Sequence, residues 1–499
     1  MEISYKRRVY ILILFNVFLK LFLGSNLEFG NDEVYYWIYA KYPDISHFDH
    51  PPMVGFFIQL FTLNLTFDSE VFIRLAAIIP SAISVYIIFL IGVFLKSEKA
   101  GFIASLLYSI SIYGFIIAGT FILPDAPLVL FWLLSFYFFI QTIPFDPNPK
   151  FTTKILLAFL FAGLAIYSKY QAVYLLLGIV LFVLIKNRRW LRSRVFYIGF
   201  IFPVLAIGLI FHWNYSNDFI SYKFHGGRVS FFSFKFNKNS FTREVLGQFL
   251  YNNPYMVIML IVMFVEIKRK QFKINTNITT LFLFCALPLI LTTIYLSISR
   301  NTLPHWSGIA YLTLIPLLGV YLSENKKKIV RKLEIGVLSF SFLLVTAVFV
   351  INKGWFLPVD TEEQKVKLGR KNALLDMYGW KQASQEISDI LKEEKLTHLG
   401  IISNRWYPAA HIHYYIARPN NMNVYGVGSL NDIHKYYWIN SNHPEVTSEV
   451  LYITDSRNFK APNDLFAQKY HTFNLIKTIP IERNGEVVKY VFLYKLSKE

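Results

Sequence analysis

Asp32 and Glu33 stand at the head of an aromatic run, Tyr35, Tyr36 and Trp37, and the same stretch ends on Asp49 and His50. Just before it, residues 9–24 form an apolar run long enough to enter a bilayer. Charged groups at a lipid boundary are costly, so they are paired, solvated or used. A carboxylate in that position could take a proton from an attacking hydroxyl. Asp125, Lys169, His225, Arg228, Arg300 and His305 also lie close to the ends of apolar runs. Acids beside bases at a water–lipid boundary suit a lipid that carries phosphate, because cations hold phosphate by charge-assisted hydrogen bonds.

Each of these residues also has a plainer role open to it. Asn31 or Asp32 could cap a helix. Glu33 and Asp125 are acids in a first helical turn, which is ordinary. His50 and Asp49 precede Pro51 and Pro52 and could shape a turn. Lys169 could snorkel to headgroups. His225 and Arg228, flanking Gly226 and Gly227, could form a basic loop on anionic lipid, and Arg300 and His305 could anchor at the interface.

The elements that must position these residues are membrane spans. The chain has 499 residues, 54% of them hydrophobic and 16% charged, whereas a soluble domain is about a quarter charged. Apolar runs at 9–24, 71–95, 100–118, 126–143, 154–167, 172–185, 195–213, 251–265, 278–298, 309–322 and 335–351 predict about eleven transmembrane helices. The net charge of +18 comes from clusters between the spans, and every second connection is basic: 6–8, 96–99, 150–154, 186–194, 268–270 and 326–332. Basic connections face the cytoplasm. That leaves 25–70, 119–125, 168–171, 214–250, 299–305 and everything after Lys353 on the outer side, together with all the candidate residues. No basic soluble face stands out, which argues against nucleic acid. The one cysteine, Cys285, excludes an intramolecular disulfide and a cysteine-rich metal site. Asp32, Glu33, Asp125 and His50 could supply ligands to a divalent cation, but no metal-binding spacing supports one, and the metal question is left open.

Two stretches of the first outer connection read as short helices on the membrane surface. "DEVYYWIYAKY" carries aromatics on several faces, and "PPMVGFFIQLF" has proline in its first turn. The tail reads as a small α/β domain. Helices are expected over 362–380 and 381–395, and short buried strands over "LGIISN" and "VLYITDS". A hairpin is expected in "TIPIERNGEVVKYVFLY", because Asn484-Gly485 suits a two-residue turn with positive backbone angles.

"NDEVYYW", "YPDISHFDHPPMVGFF", "LPDAPLVLFW", "GLAIYSKYQAVYLL", "FHGGR" and "LPHWSGIAYLTLIPLL" follow one another in an order that resembles the GT-C membrane glycosyltransferases. The likeness is to the bacterial branch related to the protein O-mannosyltransferases and the lipid A aminoarabinose transferase. In the tail, "MYGW", "WYPAAHIHYYIARPN" and "NDIHKYYWI" resemble phrases of that branch's C-terminal domain. The resemblance implies a polyprenyl-phosphate sugar as donor. It implies Asp32 as general base with Glu33 beside it, Asp125 as a second acid, and Lys169 near the lipid phosphate. His225 and Arg228 resemble a His/Arg pair of a later outer connection. His50 and Tyr35 stand where the aminoarabinose transferases have lysine and arginine, so the sugar is left unassigned.

The expectation is therefore a polytopic α-helical membrane protein of GT-C fold over 1–352, with a periplasmic α/β domain over 353–499. Its activity would be transfer of one sugar from polyprenyl phosphate to an outward-facing acceptor, with inversion and without a required cofactor. Lipid A or lipopolysaccharide is the favoured acceptor, and a bacterial inner membrane the expected location. A lipid-linked glycan flippase, or a protein O-glycosyltransferase of the same fold, are the rivals. Intramembrane charges and inverted repeats would favour the flippase.

Overall fold

The computed structural model describes residues 4–228, 236–325, 328–357, 360, 362–441 and 448–498. Two compact units form: Met1–Phe22 with Pro43–Phe342, and Leu23–Tyr42 with Leu343–Glu499. The second unit thus takes in a piece of the first outer connection as well as the tail.

Each expected span is helical over most of its length, and nearly all lie in the first unit. Among the described residues of the whole chain, seven helices are long and apolar enough to cross a membrane. They run over Tyr5–Asn26, Glu70–Leu95, Pro149–Ile166, Arg194–Ser216, Thr276–Ser297, Pro304–Glu324 and Ile329–Lys353. Asp125–Ile140 and Tyr170–Ile185 are shorter apolar helices. Lys238–Tyr251 and Pro254–Lys268 would make a further span, but they meet at 92°. The bend falls where Asn253 turns to φ +67° and Pro254 starts the next helix, capped by Asn253. Lys238–Tyr251 occupies a stretch expected as part of a loop. Its apolar residues are too few to register as a span.

Close helix packing rests on small residues. A side chain on Gly92 would stand 2.5 Å from the Gly101 backbone, so helices Glu70–Leu95 and Glu98–Ser109 touch main chain to main chain. Polar side chains inside this unit are bonded across helices. Asn16 donates to the Ser109 hydroxyl at 2.8 Å, and Lys20 to the Ser81 hydroxyl at 2.6 Å. Lys20 lies within the first apolar run and is buried.

The second unit is built on one sheet ordered β2-β1-β3-β5-β4. The strands are β1 (Gly400–Ser403), β2 (Val424–Gly426), β3 (Glu449–Asp455), β4 (Thr472–Arg483) and β5 (Glu486–Ser497). β1 runs parallel to β2 and β3, while β5 is antiparallel to β3 and β4. The hairpin turn is the expected one, with Asn484 at φ +54° and Gly485 at φ +81°. Ile402, Tyr425, Val450, Tyr452, Phe466, Tyr470 and Leu496 form an apolar core on the sheet.

Two local expectations fail. Over 362–380 the chain makes turns and one short 3-10 helix, Ala373–Met377, in place of a long helix. Side chains compete for the backbone there: Asp360 accepts from the Gly369 N–H at 2.8 Å and Asn372 from the Leu374 N–H at 3.1 Å. Gly369 adopts φ +76°, which ends any helix. Helix Asn31–Lys41 does not expose its aromatics as a surface helix would. Residues 33–40 are all buried, with Trp37 packed edge-on against His413 and Tyr414. The connection is reinforced by Glu28, which accepts from the Trp380 and Lys381 backbone N–H groups at 2.7 and 3.2 Å. It thereby satisfies the open start of helix Trp380–Glu393.

Candidate functional site

In the first unit, Asp125 opens helix Asp125–Ile140, directly after Pro124. Lys169 precedes the tight turn Tyr170–Ala172 between two apolar helices. These span ends meet: Lys169 Nζ lies 2.7 Å from Asp125 Oδ2, with side chains 4% and 3% exposed. The other carboxylate oxygen accepts from the Tyr113 hydroxyl at 2.8 Å. Tyr113 begins a π-helical turn, Tyr113–Ile117, a distortion that recurs at functional sites.

Around this pair gather further predicted residues. His305, in the turn Pro304–Ser307, stands within electrostatic reach of both Asp125 and Lys169. His50 interacts with Asp49, Lys169, His225 and Asp125. His225, on helix Ile220–Arg228, donates from Nε2 to the Asp49 carbonyl at 2.9 Å. Its ring lies 6.4 Å from His50 and 5.3 Å from Tyr170. His50 sits in the connection ahead of helix Met53–Phe61, and burial pushes its imidazole down to about 3. At neutral pH it is therefore an uncharged hydrogen-bonding group. Arg300 is placed in the connection after helix Thr276–Ser297, its carbonyl accepting the Ser240 hydroxyl. The backbone of Arg228 ends helix Ile220–Arg228, and its side chain lies outside the described residues.

In the second unit, Asp32 is exposed on the first turn of helix Asn31–Lys41. Glu33 is buried and accepts from the Gly30 N–H at 3.1 Å, so its carboxylate caps the helix. Tyr35 is buried among Trp406 at 4.8 Å and His434 at 5.8 Å, and its hydroxyl accepts from the Lys435 N–H at 3.3 Å. Tyr36 packs edge-on against Tyr39 at 5.4 Å. Asn31 Oδ1 accepts from His411 Nε2 at 3.0 Å.

Sequence reasoning missed Tyr113 and Tyr170. Tyr170 adjoins Lys169 in "SKYQ" and could have been included with it. Tyr113 lies in "SIYGF" with no spacing that ties it to Asp125. The two carboxylate oxygens of Asp125 each hold one partner, Tyr113 and Lys169. Among the described residues no three His, Cys, Asp or Glu side chains cluster tightly enough to hold a metal ion.

Residues 49–213 match the family model described as dolichyl-phosphate-mannose-protein mannosyltransferase. That stretch contains Asp49, His50, Asp125 and Lys169. No curated protein matches the sequence. Among solved structures, the chain resembles ArnT from Cupriavidus metallidurans bound to undecaprenyl phosphate, with a TM-score of 0.65 and 12% identity over 97% of each chain. It also resembles the apo form of ArnT, with a TM-score of 0.60 and 11% identity over 98% of each chain. The archaeal oligosaccharyltransferase AglB from Archaeoglobus fulgidus is more distant, at TM-score 0.46 and 12% identity over 90% of this chain and 69% of the other. The chain is thus a multi-pass helical membrane protein with the GT-C fold that ArnT shows, and its residues 49–213 are similar to the dolichyl-phosphate-mannose-protein mannosyltransferase family.

Proposed function

We propose that the chain transfers a sugar from a polyprenyl-phosphate carrier to an outward-facing acceptor. The buried Asp125–Lys169 pair with Tyr113, inside the family-matched stretch, is the observation that carries this reading. An ammonium has three N–H donors and Asp125 takes one. The remainder suit a phosphate oxygen, and the ArnT structure of the same fold holds undecaprenyl phosphate. Asp125 and Tyr113 fix the ammonium before substrate arrives, which is the preorganisation that electrostatic catalysis needs. His50 adds neutral hydrogen-bonding capacity beside it, and His225 a further imidazole.

Asp32 is assigned as base on the family resemblance and on its exposure at the helix start. Its carboxylate takes the proton of the acceptor hydroxyl, and the oxygen forms a bond to the anomeric carbon. The bond from that carbon to the phosphate oxygen breaks, and polyprenyl phosphate leaves with the electron pair. One displacement inverts the anomeric configuration, whereas retention calls for a nucleophile as well as an acid/base group. Glu33 accepts from the Gly30 N–H through one carboxylate oxygen and stands beside Asp32, as the resemblance implies. A cation is not needed at Asp125, because Lys169 already supplies the positive charge.

The basic connections support an outward reactive side, and with it an inner membrane with a periplasmic site. Lipid A or another part of lipopolysaccharide is the proposed acceptor. A protein acceptor is the second reading, favoured by the description of the matched family. The test uses purified protein with a polyprenyl-phosphate sugar. Asp32→Asn should abolish transfer and still bind undecaprenyl phosphate. NMR of the product should give the anomer opposite to the donor's. Full transfer by the variant, or a retained anomer, overturns the mechanism. Transport of the lipid that survives Asp32→Asn would favour a flippase.

A further inference from the structure

The unit formed by Leu23–Tyr42 and Leu343–Glu499 contains a cavity of about 510 Å³, within the range of small-molecule sites. It opens beyond the carboxyl ends of the parallel strands β1 and β3, where Asn404 and residues 454–460 line it. That edge is where open α/β sheets take their ligands.

Its charge is lopsided. Arg370, Arg405, Arg457 and Lys460 line it against two carboxylates, Asp376 and Asp455. Both acids are engaged: Asp376 pairs with Arg457, and Asp455 accepts from the backbone and side-chain N–H groups of Asn458 at 2.9 and 3.3 Å. Among the described residues no acid pairs with Arg370, Arg405 or Lys460, and all three side chains are exposed. The side chain of Arg457 is only 10% exposed, and its Nε–H has no hydrogen-bond partner in the protein. A buried donor left unmade is costly, and it belongs to an arginine that lines the cavity.

The rest of the wall is suited to a carbohydrate. Asn404 and Thr454 bring an amide and a hydroxyl, and Tyr407 and Phe459 bring rings. The Tyr407 hydroxyl donates to Asn458 Oδ1 at 3.0 Å, which holds that ring in place. Asn31 closes one side, and the next residue in the chain is Asp32. The cavity therefore borders the helix start that carries the assigned base.

We propose that this cavity binds a phosphorylated sugar of the acceptor, its phosphate on Arg370, Arg405, Arg457 and Lys460 and its ring against Tyr407 and Phe459. The inference rests on the glycosyl-transfer reading and gives that reading its acceptor chemistry. Calorimetric titration of the full chain in lipid nanodiscs tests it, with glucosamine 6-phosphate, glucosamine and inorganic phosphate as probes. Glucosamine 6-phosphate should bind, and glucosamine and phosphate should each bind about tenfold more weakly or worse. The double variant R405Q/K460Q alters exposed residues and should fold. It should lose about tenfold in affinity for the sugar phosphate while binding undecaprenyl phosphate as the parent does. Phosphate binding as tightly as the sugar phosphate, an unaffected variant, or no binding at millimolar concentration overturns the proposal. Binding is read here without any transfer, so a failed transfer assay leaves this result standing, and failed binding leaves the donor side standing.

Discussion

The Asp125–Lys169 pair illustrates how residue-level economics work inside an apolar protein. Removing one partner strands the other as a buried charge, which costs about 3–5 kcal/mol, while replacing both can be nearly neutral. Lys169→Met and Asp125→Asn should each lower the thermal midpoint of the purified protein sharply and abolish transfer. The double variant should recover most of the stability and none of the activity, as melting curves and a transfer assay would record. His50 offers a pH test. Its imidazole is depressed from an ordinary 6.5 to about 3 by burial, so between those values the unfolded chain binds the extra proton. Stability should therefore be fully present above about pH 6.5 and fall as pH drops toward 3. His50→Gln should flatten that slope in melts taken across the range. Of these residues, Asp125, Lys169 and His50 were each legible in the sequence as charges or imidazoles at span ends. Their place on one side of the membrane let them converge, but partners such as Tyr113 were not legible, because they are set by tertiary packing that no local spacing encodes.

At the scale of elements, the spans were the most legible feature, since long apolar runs have few other uses. The Asn484-Gly485 hairpin was equally plain, because few residue pairs accept two positive backbone angles. Gly485→Val should cost about 1–2 kcal/mol, seen as a lower midpoint for the full chain with the spans' helicity unchanged in circular dichroism. Helix Lys238–Tyr251 escaped notice because its polar composition gives no membrane signal. Residues 362–380 misled in the other direction: good helix formers were overruled by Asp360, Asn372 and the left-handed Gly369. The aromatics of helix Asn31–Lys41 read as the face of a membrane-surface helix, whereas they pack against Trp406, His413 and Tyr414, distant in sequence and invisible to a local pattern.

For the whole molecule, the decisive feature is that Leu23–Tyr42 belongs with the tail. Glu28 caps a helix that starts at Trp380, and the Phe29 N–H donates to the Tyr415 hydroxyl at 2.8 Å. The sequence expectation put the boundary at residue 352 and assigned 25–70 to the membrane part, because charge and hydropathy report on environment and not on which segments pack together. Residues 353–499 produced alone should expose the seat of Trp37 and leave the Trp380 helix uncapped. Such a fragment should melt lower and less cooperatively than one in which residues 23–42 are linked to it, a difference that scanning calorimetry would read directly. There is also a consequence for how the chain is made. Ribosomes deliver residue 23 hundreds of codons before its partners, so this segment must wait through the insertion of nearly every span. Such distant pairings are slow to close, and during the delay a strip of bare tyrosine and tryptophan is presented to whatever attends the nascent chain. A release of the polypeptide short of its final stretch would thus leave more than a missing end: the earliest outward segment itself would be left unhoused and ready for quality-control proteases.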